Sequence, residues 1–131
     1  MCGIVGYIGK KQASQIIIDC LSRLEYRGYD SAGAAIINSI NNTLYTRKFQ
    51  GRLITLSSNL KTHPIKGNIG IGHTRWATHG EPSDLNSHPH LNNKGTIADV
   101  GKRTFMYYRF SFKVTYIVAI TFEGRIKKRN G

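Results

Sequence analysis

Three short apolar segments, each containing glycine or alanine, constrain the fold of this chain more than any other feature. They are Cys2–Ile8, Ser31–Ile37 and Asn68–Trp76. Each is too short for a typical helix and is bounded by glycine or turn-forming residues, which predicts strands buried in a sheet. The small residues of Ser31–Ile37 further predict that a neighbouring element packs closely against that strand.

An amphipathic helix is predicted between the first two strands. Its apolar residues recur at intervals of three and four and so share one face; they are Ala13, Ile16, Ile17, Cys20, Leu21 and Leu24. Cys20 belongs to this stripe and is interpreted as a core residue. The Arg27-Gly28 pair is predicted to end the helix, with Gly28 in the left-handed cap conformation.

A hairpin and a second helix are predicted next. Asn38–Asn42 is rich in turn-forming residues, and Thr43–Phe49 alternates like the returning strand of a hairpin. Gly51–Leu60 is predicted to hold a short helix. Because 131 residues suffice for one core, the pattern predicts a single α+β layered domain.

The composition limits the compartment and the partners. The longest apolar run, Val114–Phe122, is far shorter than the roughly 20 residues that span a bilayer, and the start of the chain has no secretory signal pattern. Two cysteines do not form a disulfide framework. We therefore expect a soluble, cytoplasmic protein with no membrane partner.

The net charge of +12 is concentrated in the last quarter of the chain. A basic segment of this kind can bind phosphates. It has no helix-turn-helix, zinc-finger or aromatic-basic RNA-binding signature. We interpret it as a solvated basic tail and do not expect nucleic acid as a partner.

A cluster of polar and aromatic residues lies at the end of the third strand: His73, Thr74, Arg75, Trp76, Thr78 and His79. Histidines 73, 79, 88 and 90 match no common zinc spacing, so no metal is predicted. A small-molecule pocket is the other interpretation, in which Arg75 offers a planar fork to a carboxylate. Trp76 would be a wall of that pocket and Thr78 a hydrogen-bonding group, whereas His88 and His90 suit an ordinary polar loop.

Cys2 can act as an N-terminal nucleophile. Once Met1 is removed, Cys2 carries both a thiol and the free α-amine, which can act as the general base directly or through a water. An unperturbed α-amine has a pKa of about 7.7–8.0, so part of it is unprotonated near neutral pH. The neighbouring Gly3 leaves room for a substrate carbonyl beside the thiol.

Three sequence blocks, in this order, carry a resemblance to a known family. MCGIVGYIG, LEYRGYDSAG (Leu24–Gly33) and GHTRWATHGEPSDLNSHPHL (Gly72–Leu91) closely resemble the N-terminal glutaminase domain of the glutamine–fructose-6-phosphate aminotransferase (glucosamine-6-phosphate synthase) family. The resemblance implies an N-terminal-nucleophile hydrolase fold, a four-layer α/β/β/α sandwich that is incomplete here. It divides the chain into a partial class II glutamine amidotransferase domain, residues 1–98, and a divergent tail, residues 99–131.

The resemblance also implies an activity and a site. Family enzymes hydrolyse L-glutamine to glutamate and ammonia without a cofactor, and a separate isomerase domain uses the ammonia to convert fructose 6-phosphate to glucosamine 6-phosphate. By position, Cys2 forms the glutamyl thioester, Arg27 and Gly28 shape the site around its amine, and Arg75 holds the α-carboxylate of glutamine. Trp76, Thr78 and His79 line the pocket and its closing loop. Family members are homo-oligomers.

After Ala98 the chain departs from the family. Lys102 and Arg103 stand where the family has the Asn-Gly pair that forms the oxyanion hole, and the later Asp that binds the substrate amine has no counterpart. We expect a truncated chain without the isomerase domain, whose tail comes from a shifted reading frame or a joined foreign segment. The alternative hypothesis is therefore an inactive relative that binds acidic partners through its tail. Val114–Phe122 is expected to pair with an exposed strand edge.

Overall fold

Two sheets and two helices make up the structure, a computed structural model that describes residues 2–76, 81–100 and 116–119. The helices are α1 (Ala13–Leu24) and α2 (Leu53–Thr62), and a 3-10 helix (Glu25–Arg27) directly follows α1. The strands, in chain order, are β1 (Gly3–Ile8), β2 (Ser31–Ile37), β3 (Leu44–Gln50), β4 (Ile69–Arg75), β5 (His90–Leu91), β6 (Ile97–Val100) and β7 (Tyr116–Ala119).

The first sheet is antiparallel throughout and has the strand order β1-β4-β2-β3. The hairpin turn between β2 and β3 is closed by Asn38, whose backbone N–H donates to the carbonyl of Thr43 at 2.9 Å. Asn42 adopts a φ of 54° in this turn, a left-handed conformation that asparagine tolerates better than most residues. The three strands and the hairpin predicted from the sequence are therefore confirmed.

Both helices pack on one face of the first sheet. The buried residues of this layer come from α1, α2, β2 and the segment before β4: Ala13, Ile17, Leu21, Ala32, Ala34, Ile36, Leu53, Leu56, Leu60 and Ile65. A side chain at Gly72 of β4 would overlap Ile17 and lie 2.9 Å from Cδ1 of Leu21. The small residues of the sheet therefore let α1 approach the backbone closely.

The second sheet covers the opposite face of the first. It has the order β5-β6-β7, with β5 and β6 antiparallel and β6 and β7 parallel. Ala35, Leu44 and Ile71 of the first sheet form a buried cluster with Ala98 and Val100 of β6. The described residues thus form three layers in the order helices, sheet and sheet, which is the predicted incomplete α/β/β/α sandwich.

Two details of α1 differ from the predictions. The fully buried residues, Ala13, Ile17 and Leu21, lie toward one side of the apolar stripe, whereas Cys20 is only partly buried. The predicted left-handed cap at Gly28 is wrong: α1 ends at Leu24 and Gly28 has an extended φ of −178°. Gly28 serves a close backbone contact instead, described below.

The apolar run of the tail supplies β7. Its central residues, 116–119, pair with β6 in parallel register, Ile97 opposite Tyr116. The expectation that this run pairs with a strand is confirmed for these four residues. None of the described helices has the length and apolar character required to cross a membrane.

Candidate functional site

Three adjacent strands bring the predicted site residues to one end of the first sheet. Gly3 pairs with Thr74, so Cys2 comes beside Arg75 when the register is extended by one residue. Arg75 itself pairs with Ser31 of β2. Because side chains alternate along a strand, these residues share the face on which Ile71 contacts the second sheet. The Cys2 thiol, the Arg75 guanidinium and the Ser31 hydroxyl therefore lie side by side across three strands. We refer to these three residues as the row.

The row is largely shielded from solvent. Arg75 is 8% exposed and Ser31 is 1% exposed, whereas Cys2 is partly buried and its thiol forms no disulfide. Within the parts of the chain that the structure describes, the Ser31 hydroxyl has no hydrogen-bond partner. Burying a hydroxyl without a hydrogen-bond partner costs folding free energy. A ligand that hydrogen-bonds to the Ser31 hydroxyl would recover that free energy.

Residues 28–30 hold the end of β4 in place. A side chain on Gly28 would lie 2.6 Å from the carbonyl carbon of Arg75 and 2.7 Å from the backbone nitrogen of Trp76. The N–H of Asp30 donates to the carbonyl of Arg75 at 3.2 Å. The predicted Arg27-Gly28 motif and the predicted Arg75-Trp76 pair are therefore adjacent in space, with Arg27 partly buried and Gly28 buried.

A stack of three histidines adjoins the row. His73 lies two residues before Arg75 on the same face, and its ring centroid is 4.4 Å from that of His88. The ring centroid of His88 in turn lies 4.3 Å from that of His90. From the sequence, His88 and His90 are candidate metal ligands or parts of an ordinary polar loop, and nothing in their spacing predicts that His88 packs against His73 and His90 against His88.

His88 reaches the sheet because a crossing segment, Asp84–His90, runs over β2 and β3. Gly33 permits this crossing, since a side chain there would overlap the carbonyl of His88. Lys48 of β3 donates to the carbonyls of Leu85 and Ser87 at 3.3 and 3.2 Å. The backbone N–H of Gln50 donates to the Asp84 carboxylate at 2.6 Å. The crossing segment thus lies close against β2 and is hydrogen-bonded to β3.

Burial keeps the histidines neutral. It lowers the pKa of His73 to about 3, with added repulsion from His88, Arg75 and His90. Burial lowers the pKa of His88 to about 4, assisted by His90, Arg75 and Lys48. The pKa of His90 is lowered by burial and by Lys48, against an opposing effect of Asp99. Near neutral pH the stack therefore carries no charge, and Arg75 is the cation beside Cys2.

The histidines do not form a metal site in the described part of the chain, where no group of three His, Cys, Asp or Glu side chains is placed to hold an ion. His79, the fourth histidine considered from the sequence, lies outside the described residues, as do Thr78 and the oxyanion positions Lys102 and Arg103. Trp76 is described and lies 46% exposed at the rim of the row.

Similarity to known proteins covers the first part of the chain. No family model matches the chain. About the first 100 residues are similar to glutamine–fructose-6-phosphate aminotransferases (isomerizing): 63% identical over 100 residues in Clostridium perfringens and 64% over 100 residues in Clostridium tetani. The match to the enzyme of Mesorhizobium japonicum is 52% identical over 101 residues. These alignments cover 76–77% of this chain and 16% of each relative, so the chain spans about a sixth of their length.

Two solved structures have a similar fold. One is the glutamine phosphoribosylpyrophosphate amidotransferase of B. subtilis with ADP and GMP, with a TM-score of 0.58 and 29% identity. The other is described as the allosteric regulatory enzyme of purine biosynthesis, with a TM-score of 0.59 and 31% identity. Each match covers 70% of this chain and 19% of the other. The expected amidotransferase fold and the resemblance stated from the sequence are confirmed for this part of the chain.

Proposed function

We propose that this chain, about the first 100 residues of which match the start of glutamine–fructose-6-phosphate aminotransferases, binds L-glutamine and presents Cys2 to its side-chain amide. The observation that carries the proposal is the register of β1, β4 and β2, which aligns Cys2, Arg75 and Ser31. Within this proposal, residues 1–98 are part of a glutaminase domain and residues 99–131 are a divergent tail.

Arg75 is assigned to the α-carboxylate of glutamine. A guanidinium can hold a carboxylate through two parallel hydrogen bonds, and such charge-assisted bonds are among the strongest in proteins. Arg75 is buried, so water competes little for the carboxylate. Trp76, Thr78 and His79 are assigned to the wall and closing loop of the pocket, and Arg27 and Gly28 to the surroundings of the Cys2 amine.

The proposed chemistry starts with attack of the Cys2 sulfur on the amide carbon of glutamine. The α-amine of Cys2 accepts the thiol proton and passes it to the departing nitrogen, which leaves as ammonia. Water then attacks the thioester carbon, which releases glutamate and restores the thiol. Transfer of the ammonia to fructose 6-phosphate is assigned to a longer protein, one that has the length of the relatives and includes an isomerase domain.

The second candidate is a relative that does not catalyse the reaction. Lys102 and Arg103 favour it, because they replace the donor pair that the resemblance places in the oxyanion hole. The rate of glutamate release separates the two candidates.

The nucleophile assignment requires that Met1 is removed. Cys2 has a small side chain of the kind that follows a removable methionine, and only a terminal Cys2 has a free α-amine. We expect the intact mass of the purified protein to correspond to a chain that begins at Cys2. A chain that retains Met1 would contradict the assignment, because its Cys2 nitrogen is an amide and not a base.

The binding assignment is tested by titrating glutamate into wild type and Arg75→Ala. Hydrogen bonds to charged groups contribute about 1.5–3 kcal/mol, so the variant should bind roughly ten- to a hundredfold more weakly. Arg23→Ala is the matched control, because Arg23 lies exposed in the last turn of α1. Thermal unfolding of each variant separates lost binding from lost folding. Equal affinity of wild type and a folded Arg75→Ala would exclude this role for Arg75.

A further inference from the structure

A short chain of side-chain contacts joins the rim of the site to the start of α2. The rings of Tyr29 and Trp76 meet edge to face, with centroids 5.5 Å apart. The guanidinium carbon of Arg52 lies 5.0 Å from the centroid of the Tyr29 ring. Arg52 also pairs with Glu25, with 3.6 Å between Nη1 and Oε1. We refer to Glu25, Arg52, Tyr29 and Trp76 as the rim chain.

The backbone explains why the rim chain forms at this place. The N–H of Gly51 donates to the carbonyl of Asp30 at 2.7 Å, which brings Arg52 beside Tyr29. Gly28 and Asp30, the neighbours of Tyr29, both contact the backbone of Arg75. The Tyr29 ring is therefore held between β4 and the start of α2, and its position follows from contacts on both sides.

We infer that Tyr29 is the positioning residue for Trp76. Trp76 is 46% exposed and directly follows β4, next to the buried Arg75, and its ring contacts Tyr29. Edge-to-face aromatic pairs and cation–π contacts are each favourable beyond the area they bury. Through this contact Tyr29 sets how the pocket wall faces a ligand on Arg75. The effect on ligand affinity rests on the proposed function, whereas the position of the ring does not.

Trp76 is the single tryptophan of the chain, so fluorescence excited at the red edge of the absorption band, where tyrosine does not absorb, reports on this ring alone. We expect Tyr29→Ala to make the emission of the full chain more accessible to iodide quenching. Tyr29→Phe keeps the ring and should preserve the wild-type quenching. If the hydroxyl positioned Trp76 instead of the ring, Tyr29→Phe would be quenched like Tyr29→Ala. Tyr26→Ala is the matched control, since Tyr26 is 77% exposed and has no ring contact with Trp76 within the described residues.

Glutamate titration gives the second measurement. Tyr29→Ala should bind glutamate roughly three- to tenfold more weakly than wild type, the range expected from loss of an aromatic pair, and Tyr29→Phe should restore the affinity. Unchanged quenching in a folded Tyr29→Ala overturns the inference. Changed quenching with unchanged glutamate affinity overturns the effect on the ligand. If wild type does not bind glutamate, the proposed function fails, and the quenching comparison alone decides the positioning role.

Discussion

Glutamate release from glutamine by the purified chain should be slow, and it should disappear in Cys2→Ala. The resemblance places Lys102 and Arg103 at the two oxyanion donors, and loss of one such donor lowers a rate by about 10²–10³. Cys20→Ala is the matched control, because Cys20 lies on α1 away from the row and should leave the rate unchanged. The measurement is glutamate produced per mole of protein over several hours.

Restoring the donors should reverse part of the loss. We expect the double variant Lys102→Asn/Arg103→Gly to release glutamate faster than the unmodified chain, by up to about 10²-fold, with the gain abolished by Cys2→Ala. Rapid turnover by the unmodified chain that depends on Cys2 would show that another group stabilises the oxyanion. Such a result would remove the reason for the inactive-relative hypothesis.

The folded chain should lose stability in mild acid. The folded state holds the pKa of His73 near 3, against an ordinary value of about 6.5 in the unfolded chain. Between these values the unfolded state binds a proton that the folded state does not, so stability falls as the pH drops below about 6.5. At 1.36 kcal/mol per pKa unit, His73 alone should remove about 2 kcal/mol by pH 5. His88, whose pKa is lowered to about 4, changes stability in the same direction, and its effect levels off at a higher pH than that of His73.

Urea unfolding at pH 7.5, 6 and 5 measures this loss. His73→Gln should flatten the dependence of the unfolding free energy on pH, because glutamine keeps polar groups there but does not titrate. His63→Gln is the matched control, since His63 is exposed at the end of α2, and it should behave like wild type. An unfolding free energy that is constant from pH 7.5 to 5, or an unaltered pH dependence in His73→Gln, would contradict the buried neutral stack.

The elements of the first sheet were predictable because local pattern determines them. The alternation of Thr43–Phe49 and the stripe of α1 depend on neighbours along the chain. Cys2 and Arg75 were also identified from the sequence, by chemistry and by resemblance. The close backbone contacts at Gly28 and Gly33 could not be identified from the sequence, because the residues whose backbone approaches these glycines are more than 40 positions away. Ser31 could have been identified only once the pairing of β2 with β4 was known.

The histidine stack was missed for the same reason. Nothing in the spacing of His73, His88 and His90 indicates that a segment returns over β2. The contacts of Lys48 and Gln50 with that segment come from β3, which is distant in sequence from both ends of the stack. Local periodicity therefore carries no information about the lining of this side of the site.

The strand order has a consequence for how the protein is made on the ribosome. β1 is synthesised first, yet its strand partner in the described structure is β4, whose last residue is Arg75. At a translation rate of about 5–20 residues per second, several seconds pass between the synthesis of β1 and that of β4. During this interval the start of the nascent chain lies outside the sheet, within reach of the enzyme that trims an initiator methionine. Under the proposed function, this order of synthesis allows the amine of Cys2 to be generated before the strand that will flank it has been made.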